Sequence, residues 1–139
     1  MKTSLKVQAT EMLKASSLYC TAARVAILQV LLRAPQPLTQ DQIASRLAVR
    51  HDKVTIYRTL ASLLHAGVVH KALTGAKTWQ FELGHRCTEH QCHPHFTCTQ
   101  CGSTHCLTDL EPPLTQGPYR GFVIQRQQVL LEGLCPQCA

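Results

Sequence analysis

The sequence predicts an α+β protein in which a helical, basic first part ends in a β-hairpin and precedes a cysteine-rich part that contains strands. Two observations support this division. Apolar residues recur at helical spacing in four segments of the first part and give way to two strand-like segments before residue 84. Seven of the eight cysteines lie after that residue. We therefore expect two domains, residues 1–83 and residues 84–139.

The charge of the chain is divided in the same way. Residues 1–84 contain eleven Lys and Arg against four Asp and Glu, a net charge of +7. Residues 85–139 contain three Arg against four Asp and Glu, a net charge of −1. This distribution predicts an anionic partner such as nucleic acid for the first part and a metal for the second.

The chain lacks the apolar runs that direct a protein to a membrane. The N-terminal segment MKTSLKVQATEMLKASSLYC mixes polar and apolar residues, and no later segment approaches about eighteen consecutive apolar residues. We therefore expect a soluble, cytoplasmic protein with no membrane partner. In that reducing compartment, the eight cysteines point to metal ligands or redox thiols before disulfides.

Three helices are predicted in the first fifty residues, over about 5–18, 21–34 and 39–48. Thr21 is suited to cap the second helix, and the prolines at 35 and 37 end it. The apolar residues expected to face the core are Val7, Met12, Leu13 and Leu18 in the first helix, Val25, Leu28, Leu31 and Leu32 in the second, and Ile43 and Leu47 in the third.

The fourth predicted helix, in the segment DKVTIYRTLASLLHAG, has the clearest pattern. Asp52 is suited to cap this helix and Gly67 to close it. Its core-facing residues follow the spacing i, i+4, i+7 and i+8, and are Ile56, Leu60, Leu63 and Leu64. The same geometry turns five side chains near the N-terminal end towards solvent, which are Lys53, Thr55, Tyr57, Arg58 and Thr59.

The segments VVHKAL and KTWQFEL, joined by TGA, predict the two strands of a hairpin. This basic segment therefore contains two short helices followed by a hairpin, which is the layout of a winged helix-turn-helix. The second helix of that motif enters the major groove of DNA, where exposed Arg and Tyr meet base edges and phosphates. The alternative is a small helical bundle whose exposed Lys and Arg form only a solvated face.

Two C-x-x-C motifs lie in the second part of the chain, Cys98 with Cys101 and Cys135 with Cys138. Each motif presents two thiolates to one ion, and two motifs complete a tetrahedral sulfur site of the kind that holds structural zinc. The strand-like segments STHCL and GFVIQRQQVLLEG flank the motifs, so the ion would fix the end of the chain to a sheet. A thiol-disulfide pair is the competing interpretation, but such redox motifs usually open a helix in a thioredoxin-like unit.

In order along the chain, KVTIYRTLASLLHAGVVHK, FEL, HPHFTCTQCG and GLCPQC resemble the ferric uptake regulator superfamily, most of all its zinc uptake branch. The resemblance runs from about Thr21 to Cys138. It implies a homodimeric, metal-dependent transcription regulator, usually a repressor, that binds double-stranded operator DNA. It also implies an N-terminal winged helix followed by a small α/β dimerisation domain with a zinc site of four cysteines.

The resemblance assigns DNA contacts to the first domain. Tyr57 and Arg58 match the recognition helix of the family and would face DNA. Arg24 matches an arginine that approaches the DNA backbone, although the segment here is TAAR rather than the T-P-Q-R of the family. The complete set of expected DNA-binding residues is Arg24, Lys53, Thr55, Tyr57 and Arg58.

The resemblance also places a sensing metal at the hinge between the domains. The matching ligands are His70, Glu82, His93 and His95. Cys87 could displace or join Glu82, and soft sulfur favours zinc over ferrous iron. In the alternative interpretation Glu82 is the ligand and the additional residues before His93 form an exposed loop. An accessory site is expected among His90, Cys92, His105 and Glu111, whereas Cys20 and Cys106 are each expected to be a small buried hydrophobic residue.

Zinc is therefore the expected metal at both sites, with Fe²⁺ or Mn²⁺ as alternatives at the regulatory one. The function expected is zinc-responsive repression, and the alternative is an iron-, manganese- or peroxide-responsive regulator of the same family. A more remote alternative is a zinc hydrolase or deaminase, with Glu89 near His90 as its general base. The H-x-E and P-C-x-x-C signature of the deaminases is absent. We therefore expect no enzyme activity and no small organic substrate.

Overall fold

The computed structural model describes residues 3–72, 78–84, 93–113, 115, 117–125 and 127–139. Its four helices lie where the apolar periodicity predicts them. They are α1 (Leu5–Ala15), α2 (Ala22–Arg33), α3 (Gln40–Arg46) and α4 (Lys53–His65).

Side-chain caps determine where three of the helices begin. The Thr21 hydroxyl accepts from the backbone N–H of Arg24 at 3.3 Å, which confirms the predicted cap of α2. The Asp52 carboxylate accepts from the backbone N–H of Thr55 at the start of α4, at 2.6 Å. Thr39 and Gln42 exchange hydrogen bonds in a capping box that begins α3.

The helices and the adjoining sheet enclose one apolar core. Leu13, Ile27, Leu28, Ile43 and Leu63 are all fully buried there. The predicted core face of α4 is confirmed for Ile56, Leu60 and Leu63, and Leu64 packs against the core from its edge. The prediction for Val7 is wrong, because this side chain is 46% exposed and Ala9 takes the buried position on α1.

The predicted hairpin is part of a three-stranded antiparallel sheet. Its strands are β1 (Leu38–Thr39), β2 (Val69–Ala72) and β3 (Gln80–Leu83), in the order β1-β3-β2. The two-residue strand β1 is too short to produce an alternating pattern, so the sequence did not predict it. Gly67 adopts a φ of +74°, and its N–H bonds to the carbonyl of Leu64, so it closes α4 as expected. The predicted TGA turn lies outside the described residues.

Five short strands form the second part: β4 (His95–Cys98), β5 (Thr104–Cys106), β6 (Gly117–Tyr119), β7 (Phe122–Ile124) and β8 (Leu130–Gly133). Three of them make a sheet in the order β5-β4-β8, in which β4 is antiparallel to β5 and parallel to β8. Strands β6 and β7 pair separately as a hairpin. Within the described part of the chain after residue 92, the regular structure consists of strands without a helix.

Among the described helices, none combines the length and the apolar character that crossing a membrane requires.

Candidate metal centres and nucleic-acid interface

The first candidate metal centre joins the two C-x-x-C turns. Cys98 ends β4, and the turn after it brings in Cys101. Cys135 and Cys138 follow β8, the parallel neighbour of β4. The four sulfur atoms lie within 4.8 Å of one another. Two donors held by one zinc ion at about 2.0–2.3 Å can be no more than roughly 4.6 Å apart, so this cluster could hold a single ion after small adjustments.

Backbone hydrogen bonds hold the two turns beside each other. The N–H of Cys135 donates to the sulfur of Cys98 at 3.4 Å. The N–H of Thr99 donates to the carbonyl of Gly133 at 2.8 Å, which attaches the first turn to the end of β8. These backbone bonds therefore hold the two C-x-x-C turns beside each other without help from a metal ion.

The electrostatics of the sulfurs indicate a cation. Backbone N–H groups of Cys101 and Cys135 are directed at Cys98 and lower the pKa of its thiol to about 6. The neighbouring thiol of Cys135 and burial raise the pKa of Cys138 to about 12. Four thiolates this close repel one another, so all four ionise together only if a positive ion offsets their charge.

The second candidate metal centre lies between the wing sheet and the second part of the chain. Glu82, in the middle of β3, has a fully buried side chain. Its Oε2 lies 3.1 Å from Nε2 of His93, and its Oε1 lies 3.0 Å from Nε2 of His95. Both histidines are buried as well. A carboxylate removed from water is stable only beside charged or hydrogen-bonding partners, and here those partners come from the other domain.

A fourth donor joins these three. The Cys106 sulfur, at the end of β5, lies 3.7 Å from Oε2 of Glu82. Together the donor atoms of Glu82, His93, His95 and Cys106 lie within 4.8 Å of one another. The sequence prediction that Cys106 is a small buried hydrophobic residue does not fit this position, and the same prediction is wrong for Cys20, which is exposed. The missed signal was tertiary, since Cys106 pairs directly with His95 across β4 and β5.

In this second cluster, the pKa of each of three ionisable groups is shifted by its neighbours in the cluster. Burial by itself would raise the pKa of Glu82, but contacts with His93 and His95 outweigh burial and lower that pKa to about 2. Burial would lower the pKa of His95, but the neighbouring Cys106 and Glu82 raise that pKa to about 9. Burial raises the pKa of the Cys106 thiol, whereas contacts with His93 and His95 lower it below its usual range. Without a metal, a carboxylate therefore faces an imidazolium.

The structure does not bring every predicted ligand to this cluster. His70 lies opposite Glu82 in the pairing of β2 with β3, but its nitrogens are outside the group of donors within 4.8 Å of one another. His105 instead hydrogen-bonds to Ser103 at 2.9 Å, and Glu111 is exposed. Neither belongs to a cluster of donors among the described residues. The predicted ligands that lie outside the described residues are Cys87, His90 and Cys92.

The predicted DNA-facing side chains are mostly exposed on α4. Lys53 and Arg58 are exposed, and 66% of the surface of Tyr57 is accessible. Thr55 and Thr59 are half-buried, contrary to the predicted solvent exposure, and the hydroxyl of Thr59 donates to the carbonyl of Thr55 at 2.7 Å. The basic and aromatic groups of this helix are therefore available to a partner.

Arg24 has a structural role that the sequence did not reveal. Its guanidinium donates to the carbonyl of Tyr19 and to the hydroxyl of Ser62, each at 2.9 Å. Since Ser62 lies on α4, the second of these bonds connects the start of α2 to α4. Arg24 therefore helps to hold α4 against α2.

The wing contains a second exposed aromatic group. Trp79, just before β3, is 58% exposed, and the ammonium of Lys71 lies 4.6 Å from the centre of its ring. Trp79 and Tyr57 line the same groove between α4 and the wing sheet. An exposed aromatic ring and a cation therefore lie beside α4.

A winged helix joined to two clusters of metal-binding side chains defines the class of metal-responsive DNA-binding regulators. The family model of the Ferric uptake regulator family matches residues 15–115, and the chain belongs to this family. It is a metal-responsive transcriptional regulator rather than an enzyme, as the sequence predicts.

Individual relatives agree with this assignment. The chain is 29% identical over 134 residues to the transcriptional regulator FurA of Mycobacterium tuberculosis, covering 93% of this chain and 88% of the relative. It superposes on a zinc uptake regulator complexed with zinc and DNA with a TM-score of 0.66, at 19% identity over 98% of this chain and 95% of the other. The Vibrio cholerae ferric uptake regulator gives a TM-score of 0.64, at 21% identity over 91% and 98%. These structures confirm the α+β fold.

Proposed function

We propose that the protein is a zinc-responsive repressor that binds operator DNA as a homodimer when the second cluster is filled. The division into residues 1–83 and 84–139 belongs to this proposal, with the first domain reading DNA and the second pairing the subunits. The observation that carries the proposal is the contact between domains, in which Glu82 of the wing sheet meets His93 and His95 within 3.1 Å.

A metal at this position would connect the wing to the dimerisation domain. Glu82 belongs to β3 of the wing sheet, while His95 belongs to β4 of the second sheet. Holding all three side chains on one ion would fix the angle between the two domains. In a dimer, that angle sets the spacing of the two recognition helices along the DNA. The ion shifts the equilibrium by its preference for the arrangement in which the ligands converge.

The donors fit zinc. Two imidazole nitrogens and one carboxylate oxygen are a common zinc ligand set that Fe²⁺ also accepts, and the Cys106 sulfur, within 4.8 Å of these donors, favours zinc. The Nε2 atoms of His93 and His95 both lie within 3.1 Å of the Glu82 carboxylate oxygens, so these three donors already face one another.

The four cysteines would hold a separate, structural zinc ion. Cys98, Cys101, Cys135 and Cys138 supply four sulfurs, which leaves no position for a substrate or a sensed ligand. Zinc at this centre would stabilise the second domain, whereas zinc at the second cluster would control DNA binding.

Titration of DNA binding against zinc, iron and manganese tests the proposal. The protein is purified with one zinc ion per chain retained by the cysteines. Zinc is expected to increase its affinity for operator DNA at lower free concentration than Fe²⁺ or Mn²⁺. His93→Ala is expected to leave the dimer folded and to abolish this stimulation.

His105→Ala is a matched control, because its imidazole lies outside the cluster. It is expected to respond to zinc like the unmodified protein. A normal zinc response of His93→Ala would contradict the proposed site. Stronger activation by iron or manganese than by zinc would instead contradict the proposed metal.

A further inference from the structure

The second cluster contains one more donor than the three that join the two domains. Four protein ligands complete the coordination of a zinc ion that holds no water. Glu82, His93 and His95 supply three. The sulfur of Cys106 lies 3.7 Å from the Glu82 carboxylate and within 4.8 Å of both histidine donors.

The position of Cys106 is determined by strand register rather than by a loop. Strands β4 and β5 are antiparallel, and Cys106 lies directly opposite His95 in their pairing. Directly opposed residues project their side chains from the same face of the sheet, with Cβ atoms about 4.5–5.5 Å apart. An imidazole and a thiol at such a pair can reach one ion without any movement of the backbone.

From this geometry we infer that Cys106 is the fourth ligand of the regulatory metal, in the place for which the sequence suggested Cys87. The inference rests on the proposed function and specifies the ligand set of its site. The complete set is two imidazole nitrogens, one carboxylate oxygen and one thiolate sulfur. Glu82 lies in β3 of the wing sheet. His95 and Cys106 lie in the adjacent strands β4 and β5 of the second sheet, and His93 lies just before β4.

This ligand set determines which ions the site accepts. A thiolate binds zinc and cobalt more favourably than manganese, which prefers oxygen. Replacing Cys106 by a carboxylate would leave four donors but remove the sulfur. The metal preference of the site should then shift from zinc towards harder ions such as Mn²⁺. Four protein ligands also leave no position for an activated water, which agrees with a regulator and not with a hydrolase.

Cobalt(II) spectroscopy of the full-length protein tests the inference. The cysteine centre is kept filled with zinc, verified as one zinc per chain, and one equivalent of cobalt is added. A cobalt–thiolate bond gives a charge-transfer absorption in the near ultraviolet, and a site of nitrogen and oxygen ligands lacks it. The unmodified protein and Cys87→Ser are expected to show the absorption, and Cys106→Ser is expected to lose it.

The affinity for zinc provides a second measurement. Cys106→Ser should bind zinc at the regulatory site at least about tenfold more weakly, the loss typical of changes even to groups that only support metal ligands. If the serine variant folds poorly, Cys106→Asp can replace it in both measurements, because the Asp carboxylate keeps a charged donor at this position. This variant should bind cobalt without the charge-transfer absorption and should lose selectivity for zinc over manganese.

Retention of the absorption by Cys106→Ser or Cys106→Asp would overturn the inference, and so would its loss in Cys87→Ser. These outcomes are separate from failure of the proposed function. If the unmodified protein shows a Cys106-dependent absorption and yet binds DNA equally well with and without metal, the ligand assignment stands and the zinc-responsive function is wrong.

Discussion

Metal binding at the second cluster should depend steeply on pH, because His95 must lose a proton before it can bind an ion. The Cys106 and Glu82 groups beside it raise its pKa to about 9, despite the opposing effect of burial. Below that pH the metal-free protein holds the proton, and each bound ion has to displace it. The apparent affinity should therefore increase as the pH rises towards 9 and level off above it.

The size of the effect follows from the proton count. Release of one proton changes an apparent binding constant about tenfold for each pH unit below the pKa. Between pH 6 and pH 8 the zinc affinity of this site should thus increase by about a hundredfold. An imidazole with the ordinary pKa of about 6.5 would change the affinity much less, since it is mostly deprotonated over the upper part of that range.

Competition between the protein and a chromophoric chelator at fixed pH measures this affinity, with the cysteine centre kept filled and the chelator corrected for its own protonation. His105→Gln is the control, because it removes an imidazole outside the cluster and should keep the full dependence. An affinity that changes by less than about tenfold between pH 6 and 8 would refute the argument, because an imidazole of ordinary pKa gives only about fourfold over this range.

Three further changes test other parts of the molecule. Arg58→Ala should weaken DNA binding and reduce the slope of log affinity against log salt by about 1, if this exposed side chain contacts a phosphate; filter binding at several salt concentrations measures the slope, and unchanged binding would exclude the contact. Cys135→Ser should lose tightly held zinc and lower the melting temperature of the second domain; a normal melting curve with full zinc content would contradict the structural role. Arg24→Ala should destabilise the protein by about 2 kcal/mol, because two charge-assisted hydrogen bonds are lost, and Ser62→Ala by a smaller amount. Chemical denaturation measures both, and an unaffected Arg24 variant would show that these bonds do not hold the recognition helix.

The winged-helix domain was largely predictable because its signals are local. Helical periodicity located the four helices, and the caps at Thr21 and Asp52 fixed where α2 and α4 begin. The less accurate parts were those that depend on packing. Val7 fits the apolar pattern of α1 but stays 46% exposed and is not among the residues that pack against the core.

The two metal clusters differ in how much the sequence revealed. The C-x-x-C turns are recognisable from spacing alone, because each places two thiols close together within four residues. The second cluster gathers Glu82, His93, His95 and Cys106 from separate segments, and only the first three belong to recognisable motifs. Spacing along the chain could not single out Cys106, since its position opposite His95 depends on strand register.

By itself, then, the order of residues settled what short-range chemistry can settle: the helices, their ends, the paired thiols and the family to which the chain belongs. The tertiary structure decided which distant side chains converge. Cys106, expected to be an apolar residue, lies among the polar donors Glu82, His93 and His95. Arg24 connects α2 to α4 through its bond to Ser62. The physical reason is that metal ligation and helix positioning require atoms within a few ångströms of one another, and across strands and domains that proximity is set by the folded backbone.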